Sequence, residues 1–432
     1  MIEWFTSLDP NTQTAFWIIL IGAMTNTACA LLGCYLVLRR MSMLGDALSH
    51  AVLPGLVVAF VITGSLGIYT MFAGALAAGI LTAVLVHWLH RGGGVPEDAS
   101  MGVVFTALFA LGVVLIKRYA SAVDLDVDCV FSGVLDMVDL NTVRIGGFDV
   151  PRALVSIGPV LVLNLLVILL FWKELLFSSF DPGLATSMGF SAGFFHYLLM
   201  VMVAMTTVAS FEQVGSILVV AMLIAPGATA HLLTDKLGRM MGIAAGLAVS
   251  SAVLGHFAAV HFDVNTAGMM AVVAGLFYVA AVLLAPRYGV LSALVRNLQM
   301  SARVVREDIL GMLYRLEELG VERRLGRGEA IEAVGGGPLA RLALRGLLRR
   351  GDVRREGHLL GLTDRGREQA GGLVRAHRLW EAYLVEHLGL PPDHVHEPAM
   401  RTEHYLGAGL QERVAAEVAD AETDPHGREI PQ

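Results

Sequence analysis

Apolar residues run in long uninterrupted stretches up to about residue 285, and in short, helically spaced groups after residue 300. A helix that crosses a bilayer needs about 20 predominantly apolar residues. Stretches of that length fall at about 14–38, 45–64, 67–90, 100–118, 152–172, 194–211, 214–233, 238–260 and 267–285, which predicts about nine spans. Only Gly64-Ser65-Leu66-Gly67 separates the second from the third, so these two form a tight pair. Small residues inside the spans, such as Gly74, Ala75, Ala77, Ala78 and Gly79, suit close helix packing in lipid.

After Pro286 the pattern changes. Residues 287–303 read as a short amphipathic linker. From Arg306 to Glu318 apolar residues recur at helical spacing with charges on the other face. Gly335-Gly336-Gly337-Pro338 is a turn, Leu339–Arg350 a basic helix, and Val353–Leu362 a short hairpin closed at Glu356-Gly357-His358. Thr363 can cap the long helix that follows. Helices followed by a small hairpin form the winged-helix pattern, although 319–340 does not read as a clean helix-turn-helix.

Composition sharpens the division. The chain is 55% hydrophobic and 16% charged, too apolar for one soluble domain. Residues 1–295 hold 11 Lys/Arg and 16 Asp/Glu, while the remaining 137 hold 20 and 22. Neither part has a strong net charge, so no polyanionic partner is required. Cys29, Cys34 and Cys129 are scattered in apolar surroundings and make no disulfide framework or CxxC motif. The first apolar run has no basic region or cleavage site before it and reads as a retained span. Arg39/Arg40, His90/Arg91, Lys173, Lys236/Arg239 and Arg287 fall on one side if the N-terminus is outside and the C-terminus inside. Lys117/Arg118 disagree, and a re-entrant helix near 119–150 would flip the N-terminus.

Candidate chemistry lies in both parts. Asp46 and His50 are four residues apart, about one helical turn, at the mouth of an apolar run. At membrane depth such groups are costly unless they face a cavity or partner, and together they are plausible ligands for a divalent transition metal. The alternative is a helix cap and a satisfied interior histidine. Phe180–Phe190 reads as a short helix between spans, with Asp181 as N-cap and Pro182 in its first turn. It is either a docking helix for a motor subunit or a plain loop helix. Asp124, Asp126 and Asp128 alternate on an outer loop that could attract cations, although a solvated loop is the more expected reading. His231 ends a span after Pro226, where it lines a pathway or sits at the interface; His256, His261 and Asp263 fall at the outer rim as a less expected entry site, and Glu212 reads as interfacial. In the polar part, His377 and Glu381 share a helical face, as do Met400, Glu403 and His404. Carboxylate, imidazole and thioether suit Mn, Fe or Zn over Mg or Ca. Arg341, Arg345, Arg349 and Arg350 form a basic stripe that could neutralise phosphates. No GxxxxGK[ST] phosphate loop occurs, so the chain carries no motor of that kind.

Three ordered segments carry a specific resemblance: Gly45–Gly55, Asp181–Gly189 and Ile217–Ala230. Over about residues 10–290 the chain resembles the ABC-3 family, the membrane permeases of bacterial manganese, zinc and iron ABC importers. The resemblance implies a multi-pass protein of the bacterial inner membrane that imports a divalent cation and is not itself an enzyme. It implies a separate ABC ATPase, an extracytoplasmic metal-binding protein, and a second permease subunit, identical or related. It carries the metal-handling role to Asp46 and His50 and makes Asp181, Pro182, Ala185 and Gly189 part of the coupling helix. Arg375–Glu381 and Val395–His404 carry a second resemblance, over about 303–430, to the diphtheria-toxin-repressor and manganese-repressor family; the SH3-like domain of some members is absent. By that correspondence one site uses His377, Glu381 and His396, and another Asp308, Met400, Glu403 and His404. Met400 stands where the family usually has Cys or Glu, and Gly311 where manganese sensors carry a second acidic ligand.

The fold expected is therefore an all-α polytopic membrane bundle of about nine transmembrane helices, followed by a soluble winged-helix plus helical dimerisation domain, α with a small β-hairpin. Its parts are a permease domain (1–290), a linker (291–303), a winged-helix-like domain (304–372) and a metal-binding and dimerisation domain (373–432). The function expected is the permease subunit of a divalent-metal importer with a cytoplasmic metal-sensing appendage. Manganese, iron or zinc serves as substrate and as regulatory ligand, and the permease itself uses no cofactor. A membrane-tethered, metal-responsive DNA-binding regulator is the alternative, with Arg341, Arg345 and Arg349 on DNA, although DNA is the less expected partner. A secondary transporter is disfavoured by the coupling-helix signature.

Overall fold

The computed structural model describes residues 9–41, 44–64, 68–119, 133, 135–145, 148–320, 325–418 and 422–432. The chain forms two compact units, residues 1–292 and 293–432. Among the described residues of the first, seven helices are long and apolar enough to cross a membrane, with two shorter apolar helices besides. The order is α1 (Pro10–Leu38), α2 (Leu44–Ala51), α3 (Leu53–Thr63), α4 (Ile68–Gly93), α5 (Glu97–Tyr119), the hairpin β1 (Thr142–Ile145) and β2 (Phe148–Pro151), α6 (Arg152–Leu170), α7 (Trp172–Phe180), α8 (Pro182–Ser187), α9 (Ala192–Val214), α10 (Ser216–Leu233), α11 (Leu237–Phe262) and α12 (Thr266–Leu284).

Helix α1 is the spine of this unit and packs against α10 and α11. The packing depends on missing side chains. A Cβ built on Gly33 of α1 would stand 1.7 Å from the Leu223 carbonyl oxygen of α10, and one on Gly227 3.1 Å from the Gly33 carbonyl oxygen. The tight pair expected from the short 64–67 connection is α3 against α4. There Gly55 and Gly74 face each other so closely that either Cβ would fall within 2.4 Å of the other's carbonyl oxygen. Small residues let backbones approach where lipid offers no hydrophobic drive between helices.

Two features depart from the expected pattern. The run 45–64 is two helices, α2 and α3, parted at Val52. Pro54 lies in the first turn of α3. It has no N–H for the ladder, and its ring opposes a continuous helix through the preceding turn. The other is the hairpin, whose register runs from Thr142↔Pro151 to Ile145↔Phe148. Strands of four residues are too short to show a period in the sequence. Asp124, Asp126, Asp128 and Cys129 lie outside the described residues.

The second unit begins within α13 (Val290–Glu318), a single helix of 29 residues. The segment 291–303, expected as a linker, is its first half, since no glycine or proline interrupts the chain before Gly311. Then follow α14 (Arg327–Ala333), α15 (Gly337–Arg350), β3 (Val353–Glu356), β4 (Leu359–Leu362), α16 (Asp364–Leu388), α17 (His396–Thr402) and α18 (Ala408–Glu417). Helices α14 and α15 with their turn do form a helix-turn-helix ahead of the hairpin. Gly335, Gly336 and Gly337 all take positive φ at that turn, and this glycine run is what obscures the motif in the sequence. Ile309, Leu310 and Leu313 of α13 join Ala343, Leu344 and Leu347 of α15 and Val353, Leu360 and Leu362 of the hairpin in one core. Thr363 caps α16 as expected, its hydroxyl accepting from the Gly366 N–H at 3.2 Å.

A Gly33→Ala substitution is expected to destabilise the membrane unit by about 2 kcal/mol or more, because the clash is with backbone and cannot be relieved by a rotamer change. Gly242→Ala on α11, where nothing lies within 4 Å, serves as the control. Thermal unfolding of the purified protein in detergent reads the difference, and equal melting of both variants would refute the close-approach account.

Candidate metal centre

Two trios of ligand-type side chains occur among the described residues, each with its donor atoms within 4.8 Å of one another: His377, Glu381 and His396, and Asp308, Glu403 and His404. Helix α16 positions the first pair, since residues four apart share a face. His377 Nε2 lies 3.0 Å from Glu381 Oε1, and His396 Nδ1, at the start of α17, lies 2.9 Å from the same oxygen. His377 and Glu381 are buried, while His396 is exposed on the rim.

The second trio draws on α13 and the turn after α17. His404 Nε2 is 3.3 Å from Asp308 Oδ1, and its Nδ1 is 2.8 Å from Glu307 Oε2. Glu403 and His404 are buried. Glu307, Glu403 and His404 line a cavity of about 290 Å³ together with Arg303. The two trios are joined through His377, whose Nδ1 lies 2.5 Å from Glu403 Oε2 while its Nε2 serves the first trio.

Sequence reasoning missed two residues. Glu307, one turn before Gly311 on α13, stands beside Asp308 and places Oε2 2.8 Å from His404 Nδ1. A Cβ at Gly311 would stand 3.1 Å from Leu373 Cδ2. The signal was available as two adjacent acids on one helix. His426, in the C-terminal tail, has its Nε2 4.0 Å from Glu381 Oε1. That tail is anchored by Arg375, which donates to the Pro431 carbonyl at 2.7 Å, and by Asp424 Oδ1, which accepts from the His426 and Arg428 N–H groups. Met400, expected with the second set, is half exposed on α17.

Protonation follows from these contacts. Hydrogen bonds to Asp308 and Glu307 hold the His404 pKa up at about 9, against the opposing effect of burial. Burial alone would lower His377, but its bonds to Glu381 and Glu403 outweigh burial and raise it. Burial alone would raise Glu381, and the bonds from His377 and His396 bring it below the usual carboxylate range. The clusters thus carry protons where an ion would carry charge.

In the membrane unit, Asp46 and His50 are on α2 one turn apart; their side chains are outside the described residues. Helix α2 packs against α5, α9 and α10. Asp181 caps α8, its Oδ1 accepting from the Leu184 N–H at 3.0 Å, with Pro182 in the first turn, Ala185 buried, and Gly189 at φ 88° closing the segment. His256 is buried, whereas His231, His261 and Asp263 are exposed, and none of the four joins a trio. The side chain of Glu212 is outside the described residues. Arg341, Arg345 and Arg349 are exposed along one face of α15, opposite buried Ala340, Ala343, Leu344 and Leu347.

Residues 11–285 match the ABC 3 transport family, and residues 363–432 match the iron dependent repressor, metal binding and dimerisation domain. The chain is similar to the manganese transport system membrane protein MntD of Bacillus subtilis, 48% identical over 286 residues, covering 66% of this chain and 96% of that protein. It is 40% identical over 354 residues to the zinc transport system membrane protein TroD of Treponema pallidum, covering 81% of this chain and 96% of that protein. An alignment of that length extends past residue 292 into the second unit. Among solved structures, PsaBC from Streptococcus pneumoniae in complex with Fab matches with a TM-score of 0.54 and 30% identity, covering 67% of this chain and 98% of that one.

The raised pKa of His404 has a testable sign. A histidine whose folded pKa lies above the ordinary 6.5 adds stability that is complete below about pH 6.5 and lost as pH rises through about 9. With metal removed by chelator, His404→Asn is expected to melt below the wild type at pH 6.5. The gap should close by pH 9.5 in a thermal-melting series, and a gap independent of pH would contradict the assignment.

Proposed function

The chain belongs to the ABC 3 transport family, and on that premise we propose that its membrane unit passes a divalent transition metal and that its second unit senses the same metal. The reading is carried by one observation: the helix α2, parted from α3 only at Val52 ahead of Pro54, bears an Asp and a His one turn apart. Pro54 brings no N–H to the helical ladder, and interrupted helices line transport pathways in membrane proteins. Asp46 and His50 then serve as a transient station, suited by donor type to manganese, zinc or iron. The relatives are named for manganese and zinc transport, which supports that substrate class without choosing within it.

Import by this route needs a separate ABC ATPase docked on α8, a metal-binding protein on the opposite face, and a second permease subunit. Helix α8 is short, capped and bounded by Pro182 and Gly189, which suits a rigid docking element. The protein then lies in the bacterial cell membrane as a multi-pass subunit, its second unit in the cytoplasm. The sequence divisions at about 290, 303 and 372 remain our functional boundaries, with the helical first half of α13 serving as connector. The two trios bridged by His377 would act as a feedback sensor: a rising metal level replaces protons and mutual ion pairs with metal bonds.

A second reading, a membrane-tethered metal-responsive DNA-binding regulator, is favoured by the exposed Arg341, Arg345 and Arg349 on the second helix of the helix-turn-helix. A metal-dependent gel shift by the full-length chain would promote it.

In cells supplied with the ATPase and binding protein, Asp46→Ala and His50→Ala are each expected to cut radiolabelled manganese or zinc uptake about tenfold or more, the loss of a ligand bond in a transient site. His377→Ala with Glu403→Gln should leave initial uptake intact and shift the cytosolic metal level at which uptake declines. Full uptake in both single variants would sink the pathway assignment, and an unchanged decline would sink the sensor.

A further inference from the structure

The turn that joins α12 to α13 is pinned to the end of the membrane unit, which runs on to Ser292. Gly289 donates its N–H to the Ala285 carbonyl at 2.9 Å, and the Ser292 hydroxyl donates to the same oxygen at 2.8 Å. The turn is too tight for a side chain at 289, where a Cβ would stand 2.4 Å from that oxygen. Tyr288 donates its hydroxyl to Asp235 Oδ1 at 2.8 Å, and Arg287 donates Nη1 to Asp235 Oδ2 at 2.5 Å. These bonds tie the turn to the connection between α10 and α11. Ala285 follows directly on the span α12, so the first turn of α13 stands at the level where that span leaves the bilayer.

From there the helix is apolar on one side. Leu291, Leu294, Val295 and Leu298 fall within an arc of about 100°, and Ser292, Arg296, Gln299 and Arg303 fall opposite. The four apolar side chains are between 43% and 53% exposed. Farther along α13 the same arc carries Ile309 and Leu313, which the second unit buries in its own core. The stripe is therefore covered at one end of the helix and bare at the other.

The pinned turn says what covers the bare end, because lipid is beside it. Leu284, the last residue of α12, is six positions before Val290. A helix standing upright would carry Leu298 about 12 Å from Val290 along its axis, away from the bilayer and into water. A helix lying along the surface keeps Leu291 to Leu298 at one depth. Helices that are apolar on one side and polar on the other settle in this way, with the apolar face sunk about 5–10 Å into the headgroup and acyl boundary. Tyr288, 57% exposed at the turn, has the apolar ring and polar tip that suit the same level. We propose that the first half of α13, residues 290–302, is a membrane-surface helix, with Leu291, Leu294, Val295 and Leu298 set into the leaflet at which α12 ends. The occupant of the stripe is lipid, and its binding needs no metal at either candidate site.

Full-length protein reconstituted without an ATPase into phosphatidylcholine vesicles, with and without nitroxide-labelled phosphatidylcholine, tests this. Leu294→Cys and Leu298→Cys are expected to react with a water-soluble maleimide about tenfold more slowly than Gln299→Cys, since the reagent takes the thiolate and a thiol in an apolar setting keeps its proton. The unaltered chain gives the background from Cys29, Cys34 and Cys129. A fluorophore attached at the same positions in detergent, before reconstitution, should be quenched by the nitroxide lipid at 294 and 298 and much less at 299. Either apolar variant carries the test if the other does not fold. Equal reactivity on the two sides overturns the proposal. So does protection without quenching by the lipid, or protection that fades as the chain is diluted in the bilayer, because a second copy is then the cover.

Discussion

In a bilayer every backbone N–H and C=O must be satisfied within the protein, and the rest of the membrane unit depends on that constraint. It makes the unit a set of helices, and it leaves contact between helices to be won by close approach. The approach is closest where side chains are missing, at Gly33 and Gly227 between α1 and α10 and at Gly55 and Gly74 between α3 and α4. The same constraint gives meaning to Pro54, which brings no N–H to the ladder where α2 passes into α3 at Val52, just after the turns that bear Asp46 and His50.

The second unit solves the converse problem, because it buries charge. Arg378, 2% exposed, is paired with Glu318 and Asp424 and donates to the Glu429 carbonyl. His377 is buried between Glu381 and Glu403. A buried charge with one partner removed is costly, so each of these groups depends on the others being present. Hydrogen bonds and ion pairs among these side chains satisfy both clusters, and His377 joins them through Glu403.

The second unit thus buries charged groups in mutually paired clusters, whereas the membrane unit pairs neutral ones across its helices, as Asn26 does with Ser251 and Asn164 with Thr206. At the end of α1 the Arg39 guanidinium donates to the hydroxyls of Ser178 and Ser179 and meets His196.

Much of this was legible along the chain, and for physical reasons. Spans show because lipid demands about 20 apolar residues, and the cap residues Asp181 and Thr363 show because their chemistry is local. His377 with Glu381 shows because a helix brings residues four apart onto one face. What stayed hidden depends on contacts between distant segments or on signals too short to carry a period. The four-residue strands, the continuity of α13 and the helix-turn-helix behind three glycines belong to the second kind. Glu307 beside His404, His426 near Glu381, the bridge from His377 to Glu403, and the meeting of Arg39 with His196 belong to the first. Sequence alone determined the two-part plan, the spans and the identity of most ligand-type residues, since these follow from local composition and helical spacing. Only the tertiary structure decided which of them meet, because a distance between residues some 100 positions apart is set by packing and by no pattern along the chain.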